Sequence, residues 1–438
     1  MGEVHRRLTA SLLAGLCVVM LGVAVALGTG DRARPPEPDP APASPQPVLP
    51  ALGSQWVGTW TSAPTGAEPG TGTGLPDRSV RNVLRVSTGG TRVRVELSNA
   101  YGTSPVTFTD VTVALAAAGG PAARPGTMHR LTFDESTSVT IPAGGTVRSD
   151  AVALEVPAGA RLLVSLYAPE PSGPVTYHRV ARQTSFLAPG DQAGAESGMA
   201  YTETSHHWRY VTGVEVLAQR TEGAVVVLGD SLTDGVTATP DADHRWTDYL
   251  AARLREEPEA PRLAVLNQGI SGNRLLRDGN PDRTYNGDSG LRRLRTDVLD
   301  QPGARVLVVQ LGINDIIVQP RQGDPQAIVS GLRLLTARAH QAGLRVVGAT
   351  LPPFAGHSSH TRELERVRQQ VNRTIRAGEV FDAVVDFDAA LRDPAQPLRL
   401  RPDYDSGDGL HPNDAGFEAM AQALDLRALV PDSARRAL

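Results

Sequence analysis

The sequence is poor in cysteine and has no excess of basic charge, and both absences narrow what it can do. Its only cysteine, Cys17, lies in an N-terminal apolar segment. If that segment is removed, the mature chain has no disulfide, no thiol nucleophile and no cysteine ligand for a metal. The formal net charge of -4 offers no basic surface to DNA or RNA, so we predict no nucleic-acid partner.

The N-terminus has the pattern of an export signal. Arg6 and Arg7 precede an uncharged apolar stretch, residues 8–27, and an AVA tripeptide at residues 24–26 offers a cleavage site. The same stretch is about 20 residues long, enough to span a bilayer. We therefore expect residues 1–30 to be a signal peptide or a membrane anchor. The protein would then be secreted, or attached to the outer face of the membrane only through residues 8–27.

Proline content and hydrophobic periodicity set the limits of the first folded region. Residues 31–51 are so rich in proline that they predict an extended linker. From residue 52 to 220, apolar and polar side chains alternate, as in Val93, Arg94 and Val95. Alternation of this kind predicts strands with one buried face, and hence an antiparallel β-sandwich of the jelly-roll kind.

The tryptophans of this β-region have two interpretations. Trp56, Trp60 and Trp208 are expected to pack in the core or at sheet edges. The alternative is that they form a platform for binding carbohydrate. Nothing else in the β-region has the pattern of a catalytic set.

After residue 220 the hydrophobic period changes. Aliphatic runs such as AVVVLG and RVLVVQLG alternate with helical segments. Runs without polar alternation are typical of strands covered on both faces, so we predict a three-layer, doubly wound α/β/α domain over residues 221–430. Residues 431–438 would form a C-terminal tail. In such sheets ligands bind beyond the carboxyl ends of the strands.

Polar, glycine-rich turns follow these strands and carry the groups that acyl transfer needs. Ser231 follows the first strand, Gly272 the second and Asn314 the third, while Asp408 and His411 lie beyond the last. A serine hydroxyl becomes a nucleophile when an imidazole takes its proton, and the imidazole needs an acceptor on its other nitrogen. The backbone N–H groups of Ser231 and Gly272 and the Asn314 amide would stabilise the oxyanion.

Several polar residues near these turns are expected to have structural roles. The tripeptide at residues 287–289 repeats Gly-Asp-Ser but follows a polar segment, so we predict a loop turn. Asp230 and Asp315 are expected to bond nearby backbone N–H groups. Asp234 is expected to be a helix N-cap. His357 and His360 have a spacing compatible with a metal but no evident third ligand, so we predict no metal site.

The turn motifs resemble those of the SGNH hydrolases, also called GDSL esterases and lipases. The resemblance covers about residues 222–429 and includes, in order, the blocks GDSL, ISGN, GIND and DGLHP, which begin at residues 229, 270, 312 and 408. It implies a flavodoxin-like α/β/α fold and no cofactor. It further implies these roles: Ser231 as nucleophile, Gly272 and Asn314 as oxyanion donors, Asp408 and His411 as acid and base.

The expected activity is hydrolysis of carboxylic esters through an acyl-enzyme. The loops after the strands are of mixed polarity, which favours short acyl groups on a polar carrier such as a polysaccharide over a long acyl tunnel. A β-sandwich ahead of the hydrolase is similar in layout to some carbohydrate acetyl esterases. Candidate substrate contacts are Asn273, Arg274 and Phe354. A lipase or lysophospholipase, an acyltransferase and a non-catalytic glycan-binding protein are the alternatives, and the oligomeric state is open.

Overall fold

The computed structural model describes residues 53–117 and 120–430. The predicted signal or anchor segment, Cys17, the linker at residues 31–51 and the tail at residues 431–438 lie outside the described residues. Within the part that is described, no helix combines the length and the apolar character needed to cross a bilayer.

The first part of the described chain is built from short antiparallel strands. Its strands are β1 (Gln55–Thr61), β2 (Gly66–Ala67), β3 (Arg78–Arg85), β4 (Val93–Ser98), β5 (Val106–Phe108), β6 (Asp110–Leu115), β7 (His129–Arg130), β8 (Val139–Ile141), β9 (Thr146–Arg148), β10 (Arg161–Ala168), β11 (Thr176–His178), β12 (Ser185–Pro189), β13 (Glu203–Ser205), β14 (Trp208–Arg209) and β15 (Val211–Ala218). We call this part the β-region.

The strands of the β-region form two main antiparallel sheets. One has the order β1-β15-β4-β9 and the other the order β13-β12-β3-β10-β6-β7. In β4 the side chains of Val93, Val95 and Leu97 are fully buried, whereas Arg94 and Glu96 between them are partly exposed. The predicted alternation is thus present, and the expectation of an antiparallel β-sandwich is confirmed.

Two of the tryptophans pack in the core of the β-region. The rings of Trp60 and Trp208 meet edge to face with their centroids 4.9 Å apart, and both are buried. Trp56 lies beneath the guanidinium of Arg94, which is 4.3 Å from the ring centroid. Trp60 and Trp208 therefore have no free face for a sugar, and the packing interpretation is the correct one for them.

The second part of the chain is a parallel sheet with helices. The strands are β16 (Gly223–Gly229), β17 (Leu263–Gly269), β18 (Ala304–Gln310), β19 (Arg345–Ala349) and β20 (Ala383–Val385). They pair in the order β17-β16-β18-β19-β20, and every pairing is parallel. This order is that of flavodoxin-like folds, so the predicted fold class is confirmed.

Helices connect these strands and cover the sheet. They are α1 (Ser231–Asp234), α2 (Trp246–Glu256), α3 (Gly290–Leu294), α4 (Ile313–Ile317), α5 (Pro325–Gln341), α6 (Arg362–Arg376), α7 (Phe387–Leu391) and α8 (Asp414–Ala423), with 3-10 helices at Pro281–Asn286 and Leu426–Leu429 and a π-helical turn at Arg295–Leu299. Every residue of β16 is buried, as a strand covered on both faces requires.

The β-region and the α/β part share one continuous hydrophobic core. Strand β1 packs against β17 so closely that a Cβ atom on Gly58 would lie 2.9 Å from a methyl group of Leu266. Hydrogen bonds add to this contact: the Thr61 hydroxyl donates to the Asn267 carbonyl at 3.2 Å, and the Val265 N–H donates to the Ser87 hydroxyl at 3.0 Å. The exact boundary predicted near residue 220 stays a prediction.

Candidate active site

The nucleophile candidate sits where β16 turns into α1. The Asp230 side chain caps this short helix by accepting a hydrogen bond from the Leu232 N–H at 3.1 Å. A Cβ atom on Gly229 would lie 2.1 Å from the Thr233 hydroxyl, so only glycine allows so tight a turn. The expectation that Asp230 orders the turn is met by this contact, and Ser231 is presented at the carboxyl edge of the sheet.

Ser231, His411 and Asp408 form a continuous series of hydrogen bonds. The Ser231 hydroxyl oxygen lies 2.8 Å from His411 Nε2, and His411 Nδ1 lies 2.6 Å from Asp408 Oδ2. Because a carboxylate only accepts, Nδ1 carries the proton, which leaves Nε2 free to accept from the serine. This is the arrangement that a serine nucleophile and its general base require.

The carboxylate of Asp408 is stabilised in its charged form. Partial burial acts to raise its pKa, but the hydrogen bond from the His411 ring and the N–H groups of His411 and Leu410 outweigh burial and lower it well below the ordinary value. Asp408 therefore remains ionised over the whole neutral range. It can orient the imidazole and stabilise the imidazolium that forms during proton transfer.

The predicted oxyanion donors converge on the cleft that Ser231 and His411 line. Gly272 has φ of 78°, and a Cβ atom there would lie 2.6 Å from the Asn286 amide, so both conformation and space require glycine. Asn314 uses one N–H of its amide to donate to the Asn273 carbonyl at 3.1 Å. The second N–H of that amide remains for a substrate oxygen. The cleft has a volume of about 750 Å³.

The loop that carries Gly272 is held in place by two buried carboxylates. Asp315 accepts from the N–H groups of Leu275 and Leu276 at 2.7 and 2.9 Å, so it fixes this distant loop rather than the turn of Asn314. Burial raises the pKa of Asp315 to about 6. Asp234 accepts from the backbone N–H of Ser271 at 2.9 Å and also from its hydroxyl.

The prediction that Asp234 is a helix N-cap is wrong, because the residue ends α1 instead of preceding a helix. Its other carboxylate oxygen lies 2.9 Å from Nε2 of His178, at the end of β11. The second ring nitrogen of His178 lies 2.7 Å from the Ala63 carbonyl oxygen. Both His178 and Asp234 are buried. The β-region thus contacts the loop of Gly272 through a two-residue bridge, which no spacing in the sequence indicated.

The three side chains predicted to contact the substrate do not line the cleft, so this prediction is wrong. Asn273 is fully buried, and its amide donates to the carbonyls of Asn286 and Asp288 at 2.8 and 2.7 Å. Arg274 is buried and bonds the Asp278 carbonyl. Phe354 is fully buried with its ring edge-on to His360. Each side chain supports a loop of the site from behind.

Other side chains line the cleft instead. His357 lies beside His411, and the backbone N–H of Ser359 donates to its Nδ1 at 3.2 Å. Partial burial lowers the pKa of His357, so its ring is neutral near pH 7. His360 lies against Phe354 outside the cleft lining. In the chain as described, no three His, Cys, Asp or Glu side chains are grouped to hold a metal ion.

Residues 227–419 match the GDSL-like Lipase/Acylhydrolase family. No curated protein matches the chain. The match confirms that the α/β part is a GDSL (SGNH) hydrolase domain, and hence that the chain carries an ester hydrolase domain.

Three solved structures illustrate the similarity. The aryl esterase of M. smegmatis is 21% identical over 48% of this chain and 100% of its own, with a TM-score of 0.38. The carbohydrate acetylesterase of Sinorhizobium meliloti is 16% identical over 49% and 100%, with a TM-score of 0.37. A GDSL-like lipase of Bacteroides thetaiotaomicron is 18% identical over 50% and 90%, with a TM-score of 0.34.

Removal of the His178 ring is expected to disturb the loop of Gly272. His178→Ala leaves the buried Asp234 carboxylate without this partner, so we expect kcat for ester hydrolysis to fall about 10- to 100-fold, because small misplacements are costly in catalysis. His178→Gln retains an N–H donor and should recover part of kcat. The measurement is kcat and KM on p-nitrophenyl acetate for both variants.

The control for this prediction is His340→Ala, which removes a second His–Asp pair, to Asp382 at 2.9 Å, whose partners lie outside the lining of the cleft. We expect this variant to retain the kcat of the wild type. Equal loss of kcat in His340→Ala and His178→Ala, or a loss seen in KM alone, would contradict a positioning role for His178.

The buried Asp230 should make stability depend on pH. Burial raises its pKa to about 7 from the ordinary 3.8, so the folded state favours the neutral acid. The contribution of Asp230 to the free energy of unfolding is complete below the pKa that this residue has in the unfolded chain. It is lost as pH rises through about 7, a change of roughly 4 kcal/mol. We expect Asp230→Asn to flatten this dependence. Urea unfolding of the wild type and of Asp230→Asn between about pH 4 and pH 8 tests this. If the free energies of unfolding of the two proteins change in parallel with pH, the prediction is wrong.

Proposed function

We propose, on the premise that residues 227–419 form a GDSL-like lipase/acylhydrolase domain, that the protein is an extracellular serine esterase. Its substrates would be short acyl groups on a polar carrier such as a polysaccharide. The observation that carries the proposal is the series of hydrogen bonds from Ser231 through His411 to Asp408. Ser231 and His411 line a cleft that Gly272 and Asn314 also line.

In the first half of the reaction, His411 Nε2 takes the proton of the Ser231 hydroxyl as its oxygen attacks the ester carbonyl carbon. The carbonyl oxygen becomes an oxyanion that accepts hydrogen bonds from the N–H groups of Ser231 and Gly272 and from the Asn314 amide. Collapse of this intermediate breaks the bond to the alcohol oxygen. His411 returns the proton to the alcohol, which leaves, and Ser231 carries the acyl group.

In the second half, water replaces the alcohol. His411 takes a proton from the water molecule as the oxygen attacks the acyl-enzyme, and the same donors stabilise the second oxyanion. The carboxylic acid leaves as the proton returns to the Ser231 oxygen. Asp408 keeps its negative charge throughout and stabilises the transient imidazolium.

The mixed polarity of the cleft lining favours, as substrate, a short acyl group on a polar carrier. Its apolar lining is limited to a few side chains, such as Val236, Ile317 and Leu410, and polar or charged residues alternate with them. A long acyl chain would need a more continuous apolar wall. A lipase or lysophospholipase remains the alternative hydrolase, transfer of the acyl group to another alcohol would use the same acyl-enzyme, and a non-catalytic glycan-binding protein is the alternative from another class.

Export is part of the proposal and is supported by residues 1–30 of the sequence. With the signal peptide cleaved after residue 26, the protein would be released; with the segment retained, it would be attached to the outer face of the membrane. The mass of the protein recovered from medium and from membranes distinguishes the two forms. Full-length protein in the cytoplasm alone would contradict export.

The esterase prediction is tested with the full chain and Ser231→Ala on p-nitrophenyl esters from acetate to palmitate and on acetylated xylan. We expect the highest kcat/KM on acetate and a loss of at least about 10⁴-fold in the variant, because the nucleophile is removed. Asn314→Ala should lose about 10²- to 10³-fold in kcat. Preference for long chains would favour the lipase alternative.

The matched control is Ser289→Ala, which removes the serine of the second Gly-Asp-Ser tripeptide. Ser289 is the N-cap residue of α3, its side chain makes no capping hydrogen bond, and it does not line the cleft, so this variant should keep the wild-type rates. If the wild type and Ser231→Ala are equally inactive on every ester, the hydrolytic proposal fails and glycan binding by the β-region becomes the hypothesis to pursue.

A further inference from the structure

The cleft has a charge opposite in sign to that of the whole protein. Three arginines line it, Arg179, Arg283 and Arg321, against one acidic residue, Asp282. The chain as a whole has a net charge of -4. Positive charge therefore predominates among the charged residues that line the cleft, and a cleft lined mainly by one sign of charge attracts ligands of the opposite sign.

The guanidinium groups of these arginines are available to a ligand. Among the described residues, no carboxylate lies within ion-pair distance of any of the three, whereas buried arginines such as Arg368 are paired with acids. All three arginines are exposed. An arginine presents several N–H donors in a planar fork that matches the two oxygens of a carboxylate or phosphate.

The three arginines come from separate parts of the chain. Arg179 follows β11 in the β-region, Arg283 lies in the 3-10 helix Pro281–Asn286, and Arg321 follows α4. Arg179 lies over the ring of Tyr285, 4.3 Å from its centroid, and this contact restricts the side chain while its N–H edges stay free. Unpaired cations that line one cleft raise the local concentration of anionic ligands there.

We propose that the preferred substrate is an anionic ester, in which the carrier of the acyl group bears a carboxylate or phosphate that Arg179, Arg283 and Arg321 bind. This inference rests on the proposed function and extends it from a polar carrier to an acidic one. The acyl carbonyl lies at Ser231, and the anionic groups of the carrier lie at the arginines. The β-region takes part in recognition through Arg179.

The test compares matched acetyl esters. Acetylated polygalacturonate is set against acetylated xylan for a carboxylate-bearing polymer, and 1-acetylglycerol 3-phosphate against glycerol monoacetate for a phosphate. We expect kcat/KM to be at least about tenfold higher for one anionic member at low salt, with the advantage in KM. Raising NaCl from about 0.02 to about 0.5 M should reduce that advantage, because salt screens exposed charges. The pair of esters in which the anionic member has the higher kcat/KM shows whether the preferred anion is a carboxylate or a phosphate.

Variants then assign the preference to the cleft. The triple variant Arg179→Gln, Arg283→Gln and Arg321→Gln should lower the ratio of anionic to neutral kcat/KM by about tenfold or more. The control Arg366→Gln removes an exposed charge from α6, away from the cleft lining, and should keep the wild-type ratio. Because all substituted side chains are exposed, unfolding temperatures are expected to stay close to that of the wild type.

Two failures can be told apart. If p-nitrophenyl acetate is hydrolysed but neither anionic ester is preferred, or if the triple variant keeps the wild-type ratio, the inference about anionic substrates is overturned and the esterase proposal stands. If no acetyl ester is hydrolysed at all, the esterase proposal itself fails and this inference fails with it.

Discussion

The geometry of the candidate active site depends on the buried carboxylate of Asp234. It ends the helix that begins with Ser231, it accepts from the loop that carries Gly272, and it contacts His178 of the β-region. A charged group in the interior is tolerated only where partners surround it. This one requirement therefore fixes the candidate nucleophile, a candidate oxyanion donor and the β-region relative to one another.

Much of the fold follows from hydrophobic patterns that are local in sequence. The aliphatic run that ends at Gly229 predicts a strand buried on both faces, and it forms the parallel strand β16. The alternation around Val93 predicts a strand with one buried face, and it forms the antiparallel strand β4. The motif residues follow the same logic, because parallel strands bring their carboxyl ends to one edge. Ser231, Gly272, Asn314 and His411 meet there.

The residues behind and around that edge could not be predicted in the same way. Asn273 and Phe354 lie in loops whose composition suggests exposure, yet both are fully buried. The Asn273 amide is buried because it hydrogen-bonds the backbone of a neighbouring loop, and the Phe354 ring packs against His360. His178 and Asp234 are distant in sequence and in different regions, so their contact arises only from tertiary packing. Such a contact cannot be predicted from the types of the two residues or from their spacing in the sequence.

The order of His178 and Arg179 has a consequence for how the chain can vary. These neighbours diverge, one into the interior against Asp234 and the other into the cleft, because successive side chains of extended backbone point to opposite sides. A slip of a single residue would bring a guanidinium into the interior and turn the imidazole outward. The register of β11 against β14 and β2 is therefore constrained by the site at Ser231, although β11 is distant from the serine in sequence.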